Sequence, residues 1–189
     1  MRAVCFHGRR ERGGGGDFLL AARMLGAGAS RAGLSAQVRT PTWPSPPGSP
    51  DWAAVRLAAA PLEDMEIPRR FHLEVICDPL LAVVPPAGGA LLPEGRLLVN
   101  ATAPPASPAG GPKIASADLS ALAERWGAPL CFALAGAAWA GLAAVAPELS
   151  LPLRAMEEAS LDLWERPLEA APRALLLAAH AQMRERLKE

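Results

Sequence analysis

The first thirty residues place a strand, a glycine-rich loop and a helix in succession. A short apolar run from Ala3 to Phe6 leads into the polar segment 7–16, which ends in four consecutive glycines. Apolar residues then recur at helical spacing, and Asp17 is predicted to be the N-cap of that helix. Strand, glycine loop and helix in this order are typical of the start of an α/β domain, whose ligands bind at the carboxyl ends of the strands. We therefore expect the remaining chain to be built on this unit.

Further strands and helices follow along all 189 residues, with no linker long enough to divide them. The patterns predict strands at 36–39, 51–59, 71–77, 96–100 and 113–115, and helices at 78–84, 118–126, 130–145, 153–164 and 167–188. Alternating strands and helices in the first half predict an α/β fold with three layers, a mostly parallel sheet covered by helices on both faces, and a helical C-terminal part. We expect one domain, residues 1–189. The proline-rich loop from Thr40 to Pro50 carries Trp43, which we expect to dock on the chain's own core or on a partner subunit.

Composition narrows the class of partner. The formal net charge is zero, which argues against nucleic acid or an anionic membrane and suits a chain that lives inside an assembly. Met1 leads directly into a strand, and the longest apolar run, 130–147, is too short and too rich in small residues for a membrane span. A cytoplasmic protein without membrane attachment is the expectation.

Cysteines and histidines show no metal-binding spacing. Cys5, Cys77 and Cys131 are far apart and no CxxC occurs, so the sequence predicts neither an iron–sulfur cluster nor a zinc site on this chain. Cys5 and Cys77 lie in apolar strand-like runs, where small buried hydrophobic residues are expected.

The glycine loop lacks the fingerprints of the common nucleotide sites. The third glycine of G-x-G-x-x-G is replaced by Phe18 or Leu19, Arg39 stands where an acidic residue is expected, and no GK[ST] occurs. Backbone N–H groups of a glycine loop before a helix can still bind an anion, helped here by positive charge from Arg9, Arg10 and Arg12. A flexible solvated turn is the alternative. The candidate contacts in this loop are Gly8, Arg9, Gly13, Gly14, Gly15 and Gly16.

Two polar residues mark predicted strand ends beside this loop. His7 is either a hydrogen-bonding residue at the end of its strand or a base. Asn100 either binds a ligand or holds a loop. No arrangement of nucleophile, base and acid emerges elsewhere, so no catalytic residue is predicted.

Four segments, in this order, carry a family resemblance. They read FHGR…GGGGDFLLAARMLGAGASRAG at 6–33, VICDPLL at 75–81, RLLVNAT at 96–102 and ADLSALAERWGAPLCFALAGAA at 117–138. The chain resembles the gamma subunit of 2-oxoacid:ferredoxin oxidoreductases of the pyruvate:ferredoxin type. It departs from that pattern in the arginines before the glycines, in the missing loop glutamine, in the unrecognisable segment after the second strand, and in Phe132 where the family has asparagine. The resemblance is therefore to a divergent member.

The resemblance implies one subunit of a larger enzyme that oxidatively decarboxylates a 2-oxoacid to an acyl-CoA and passes two electrons to ferredoxin. It implies alpha, beta and ferredoxin-like delta subunits as partners, with thiamine diphosphate, magnesium and iron–sulfur clusters held by those partners and no cofactor held by this chain alone. It also implies that this chain packs on the thiamine-binding subunits and helps to form the coenzyme A region. The glycine loop with its arginines, together with His7 and Asn100, is the candidate contact with partners or with an anionic ligand such as coenzyme A.

Two other functions stay open at this point. One is a stand-alone flavin- or nicotinamide-binding oxidoreductase, against which the failed fingerprint counts. The other is a structural assembly subunit whose ligand site has decayed, which the missing glutamine keeps open.

Overall fold

A six-stranded sheet organises the computed structural model, which describes residues 1–12, 15–41, 45–64, 66–82, 90–105, 111–163 and 170–188. Its strands are β1 (Arg2–Arg9), β2 (Ser35–Arg39), β3 (Pro50–Ala58), β4 (Arg70–Ile76), β5 (Ala90–Asn100) and β6 (Lys113–Ala117). The helices are α1 (Asp17–Arg31), α2 (Leu119–Trp126), α3 (Leu130–Val145), α4 (Leu153–Leu163) and α5 (Ala170–Arg186), with one turn of 3-10 helix at Pro79–Ala82. Trp43 lies outside the described residues, as do 83–84, 164 and 167–169 at the ends of three predicted helices.

The strand order is β2-β3-β1-β4-β5-β6. β1, β4, β5 and β6 run parallel to one another. β3 pairs antiparallel with both β1 and β2. The predicted α/β class, the mostly parallel sheet and the helical C-terminal part are thus confirmed. β5 begins at Ala90, before the strand predicted at 96–100. Its pairing with β4 shifts register between Phe71 and Leu73.

The two faces of the sheet are covered unequally. Residues from all five α-helices join one apolar cluster with the face of the sheet that carries Val4, Phe6, Val55, Leu73 and Leu98. On the opposite face, called the second face below, the 3-10 helix packs through Leu81 against Ile76 and Val99. Within the described residues, the α-helices therefore lie on one face and the 3-10 helix lies on the other. The reason is the connectivity: α1 is the one α-helix described before the last strand, and the C-terminal helices pack beside it.

Close packing of α3 explains its small residues. A Cβ at Gly136 would meet the backbone carbonyl of Leu176 on α5, and a Cβ at Gly141 would lie 2.8–2.9 Å from the side chains of Leu98 and Leu73. α3 is buried along almost its whole length, as the sequence predicted.

Candidate functional site

The carboxyl ends of β1, β4 and β5 meet at one edge of the sheet. The Cys77 backbone N–H, just after β4, donates to the His7 carbonyl at 2.8 Å. The Asn100 side-chain Nδ2, at the end of β5, donates to the Cys77 carbonyl at 2.9 Å. These two bonds join three neighbouring strand ends at the edge where α/β folds bind ligands.

A groove of about 560 Å³ opens at this edge. It lies between the end of β4, the end of β5 and the start of α2, and it is lined by Cys77, Asp78, Pro79, Asn100, Ala101, Thr102, Asp118 and Ser120. A second depression of about 540 Å³ runs from Ser120 past the end of α2 to Leu130. Among the described residues of its lining, two are carboxylates and none is an arginine or a lysine.

Hydrogen bonds account for the whole Asn100 amide. Its Oδ1 accepts from the backbone N–H groups of Leu119 and Ser120 at 2.9 and 3.2 Å, and its Nδ2 donates to Cys77 and to the Ser120 hydroxyl. The side chain is buried, and it fixes the N-terminus of α2 to the ends of β4 and β5. Of the two roles that the sequence left open, this geometry favours holding the structure.

The arginines before the glycine loop are engaged by carboxylates. The Arg9 guanidinium pairs with Asp78 and donates to the Gly48 carbonyl at 3.0 Å. Arg10 lies 3.6 Å from the Asp51 carboxylate. Arg9 therefore ties the end of β1 to the groove and to the 45–49 loop, and Arg12 is exposed.

The glycines fit the loop for backbone reasons. Gly15 and Gly16 have φ of 86° and 146°, which L-residues rarely adopt, and the Gly15 carbonyl accepts from Glu11 N at 3.0 Å. Gly8 packs directly beneath Phe18 of α1, so that a side chain there would collide with the ring. Gly13 and Gly14 lie outside the described residues.

The N-cap prediction for Asp17 is wrong. Gly16 occupies that position, and Asp17 is the first residue of α1. Its Oδ1 instead accepts from Cys131 N at 3.0 Å, in the first turn of α3, which begins after Pro129 and has no side-chain cap of its own. The aspartate thus satisfies a different helix terminus, which three-dimensional packing brings to it.

His7 and Glu74 face one another inside the second face of the sheet. Their Nε2 and Oε1 atoms are 3.6 Å apart, with only 2% and 6% of the side chains exposed. Within the described structure, neither atom has another hydrogen-bond partner. The sequence identified His7 but missed Glu74, although a carboxylate inside the apolar run FHLEVIC was the signal for a buried charge pair.

The cysteines are protonated thiols in this environment. Burial is the main cause that raises the pKa of Cys5 and of Cys77 well above the usual value, and neighbouring carboxylates add to it. Burial, together with the Asp17 carboxylate, raises the pKa of Cys131 to about 12. Cys5 is fully buried, as predicted, whereas Cys77 is only partly buried because it lines the groove.

The described residues contain neither a metal centre nor a membrane-spanning helix. No group of three or more histidine, cysteine or acidic side chains is arranged to hold a metal ion. None of the described helices combines the length and the apolar character that crossing a membrane requires.

Solved structures of other proteins share this fold. No protein-family model matches the sequence, and neither does any curated protein. Among solved structures, pyruvate oxidoreductase subunit PORC from Thermotoga maritima matches with a TM-score of 0.69 and 23% identity over 95% of both chains. The gamma subunit of keto/oxoacid ferredoxin oxidoreductase from Geobacter sulfurreducens matches at 0.66 and 18%, over 99% of this chain and 96% of that one.

A longer chain contains the same fold as one part. The 2-oxoglutarate:ferredoxin oxidoreductase from Magnetococcus marinus, solved with 2-oxoglutarate, coenzyme A and succinyl-CoA, matches with a TM-score of 0.64 and 14% identity. The match covers 99% of the present chain but 31% of that one. The chain therefore has the fold of gamma subunits of 2-oxoacid:ferredoxin oxidoreductases.

Proposed function

We propose that this chain is a single gamma-type domain, residues 1–189, that serves as the gamma subunit of a cytoplasmic 2-oxoacid:ferredoxin oxidoreductase. The complex would oxidise a 2-oxoacid and coenzyme A to an acyl-CoA and CO₂, and pass the two electrons to ferredoxin. The observation that carries the proposal is a fold match over at least 95% of both chains with two separate subunits of such enzymes.

In this proposal the chemistry belongs to partner subunits. Thiamine diphosphate and magnesium would lie on the alpha and beta subunits and iron–sulfur clusters on these and the ferredoxin-like delta subunit. The cysteines of this chain do not by themselves fit a cluster, because clusters are held by about four cysteines and the sequence has three, which lie far apart. We derive no catalytic step from residues of this chain.

Coenzyme A is the ligand that the chain would share. Backbone N–H groups before α1 and the exposed Arg12 support contact with an anionic part of coenzyme A. The acidic lining of the groove does not favour a phosphate there. The glycine loop, rather than the groove, is therefore the proposed contact.

A second function, an assembly subunit with a decayed ligand site, is favoured by a specific observation. Arg9 and Arg10 are paired with Asp78 and Asp51, and the Asn100 amide is fully bonded inside the protein. Three of the polar groups near the predicted site thus have structural partners already.

Purification of the tagged chain from its native source tests the subunit role. Mass spectrometry of what copurifies and the visible absorption spectrum are the first readouts, followed by coenzyme A-dependent reduction of ferredoxin with several 2-oxoacids. Thiamine-binding and cluster-bearing subunits in a brown complex are expected. A colourless chain without partners would contradict the proposal.

Titration of coenzyme A into the purified complex then separates the two functions. Loss of one charge-assisted contact weakens binding about tenfold or more, so Arg12→Ala is expected to bind coenzyme A less tightly, and the combined Arg9/Arg10/Arg12→Ala variant still less. Arg125→Ala, which removes an arginine from the last turn of α2, is the control. Equal affinity in all four complexes would reject the coenzyme A contact and favour the assembly subunit.

A further inference from the structure

The second face of the sheet carries a charged pair that the proposed function does not use. His7 and Glu74 lie on the adjacent parallel strands β1 and β4, where Cys5 stands opposite Glu74 and Ile76 opposite His7. Both side chains are almost completely buried, and each presents an otherwise unpartnered atom to the other across 3.6 Å. A buried carboxylate without a compensating charge is costly, so this arrangement needs a proton between the two groups.

Surrounding charges do not supply that compensation, because each is paired elsewhere. At the end of β1, Arg9 pairs with Asp78 and Arg10 with Asp51 of β3, and farther along β3 Arg56 binds Asp64. Trp52 of β3 stands opposite His7, and Leu97 of β5 stands opposite Glu74. Three further titratable groups lie near the pair: the Cys5 thiol, whose pKa is raised by burial and then by the Glu74 charge, the partly buried Cys77 just after β4, and His72. The remaining charged residues of β1, β4 and β5 are Arg2, Arg70, Glu94 and Arg96.

We propose that His7 and Glu74 form a proton-dependent clasp between β1 and β4, in which the His7 imidazolium balances the buried Glu74 carboxylate. The clasp lies directly behind the site edge. His7 precedes Gly8 and Arg9, which lead into the glycine loop, and its carbonyl holds the Cys77 N–H beside the groove at 2.8 Å. Protonation of one buried side chain thereby governs how firmly the ends of the two central strands are joined.

The sign of the pH dependence distinguishes this pair from the other histidines. Loss of the His7 proton at higher pH leaves the carboxylate uncompensated, so the clasp stabilises the protein at lower pH and this stability is lost as pH rises. Burial lowers the pKa of His72 and of His180, so these two histidines bind protons more readily in the unfolded chain and destabilise the fold as pH falls. The two effects therefore have opposite signs.

Nitrogen NMR of the imidazole rings in the full-length chain tests the clasp, since there are only three histidines to assign. In the wild type, His7 is expected as imidazolium, with protons on both ring nitrogens. In Glu74→Gln, His7 is expected to become neutral at a lower pH than in the wild type. A wild-type His7 that is neutral with its proton on Nδ1 overturns the proposal without any variant, and so does the same neutralisation pH in both proteins.

Stability and hydrogen exchange then test what the clasp holds. His7→Gln keeps a permanent donor near the Nε2 position, so the alkaline loss of unfolding free energy is expected to disappear in this variant and to persist in the matched control His180→Gln. On loss of the His7 proton, the exchange protection of the Cys77 amide, corrected for its intrinsic rate, is expected to fall about tenfold, the equivalent of about 1.4 kcal/mol. An unchanged protection factor, or an alkaline loss that survives in His7→Gln, would contradict the clasp.

Discussion

The helix-covered face and the second face of the sheet bury their residues by different means. On the first, apolar side chains from the strands meet five helices, and glycines of α3 admit backbone and side chains at van der Waals distance. On the second, His7, Arg56 and Glu74 are buried and each needs an electrostatic partner. The difference teaches that apolar shape alone stabilises one face, whereas on the other face protonation and pairing add to the apolar contacts.

Gly136→Ala should give the largest loss, because it tests shape alone. The new methyl group would overlap the Leu176 carbonyl of α5, which is backbone and cannot rotate away. We expect the free energy of unfolding to fall by about 3 kcal/mol, measured by urea denaturation. Gly141→Ala is the matched control in the same helix: it meets the ends of Leu73 and Leu98, which can adjust, and its loss should be smaller. Equal losses would mean that the α5 backbone moves away from α3 as readily as the Leu73 and Leu98 side chains do.

Asn100→Ala should cost about 2 kcal/mol, because it leaves the Leu119 and Ser120 N–H groups and the Cys77 carbonyl without their partner. Asn100→Asp retains the acceptor for both N–H groups and loses the donor to the Cys77 carbonyl and the Ser120 hydroxyl, so its loss should be smaller. Chemical denaturation measures both variants. An Asn100→Ala protein as stable as the wild type would show that Asn100 does not anchor α2, and would reopen a ligand role for this amide.

Asp17→Ala should cost about 1 kcal/mol, the usual value of a helix cap, although Asp17 belongs to a different helix from the one it caps. Removing the carboxylate should also lower the pKa of Cys131 from about 12, which alkylation rates at several pH values will report. Asp118→Ala is the matched control, since it removes the cap of α2, where Oδ1 accepts from Ala121 N at 2.8 Å. It should lose a similar stability without changing the reactivity of Cys131; equal thiol reactivity in both variants would contradict the assignment.

Local patterns predicted most of the fold. Helical periodicity found α1 and α3, apolar runs found the strands, and the carboxyl ends of β1 and β5 were placed beside one another by the rule for parallel sheets. Patterns did not reveal that β3 runs antiparallel between β1 and β2, because strand direction depends on which partner a strand finds after the proline-rich loop. On the second face, the described part of the helix predicted at 78–84 is one turn of 3-10 helix, Pro79–Ala82.

Site residues were predicted less completely, because their roles depend on partners far away in sequence. Arg9 was identified as a cation near the loop, but its pairing with Asp78 is a contact across 69 residues. Asp17 was assigned to the nearest helix, whereas its partner Cys131 is 114 residues away. A residue type and its local spacing indicate which bonds a side chain can form. The fold determines which atoms it bonds to.

Arg56→Met tests pairing on the second face and should give the smallest of these effects, a loss of stability near neutral pH that diminishes in acid. The buried Arg56 guanidinium bonds both oxygens of the Asp64 carboxylate, at 2.6 and 3.0 Å, and thereby lowers the pKa of Asp64 below its usual value. A carboxylate whose pKa is lowered by folding stabilises the protein above its unfolded pKa of about 3.9, and this stability is lost as pH falls through the folded value. The difference in unfolding free energy between wild type and Arg56→Met should therefore be constant near neutral pH and shrink below about pH 4.

Arg154→Met, which removes an exposed partner of Glu158 on α4, is the control and should change stability little at any pH. If the Arg56 difference does not shrink in acid, the guanidinium stabilises the second face through the Asp64 and Glu66 carbonyls that it also binds, and the contrast between the two faces then concerns hydrogen bonds rather than charge.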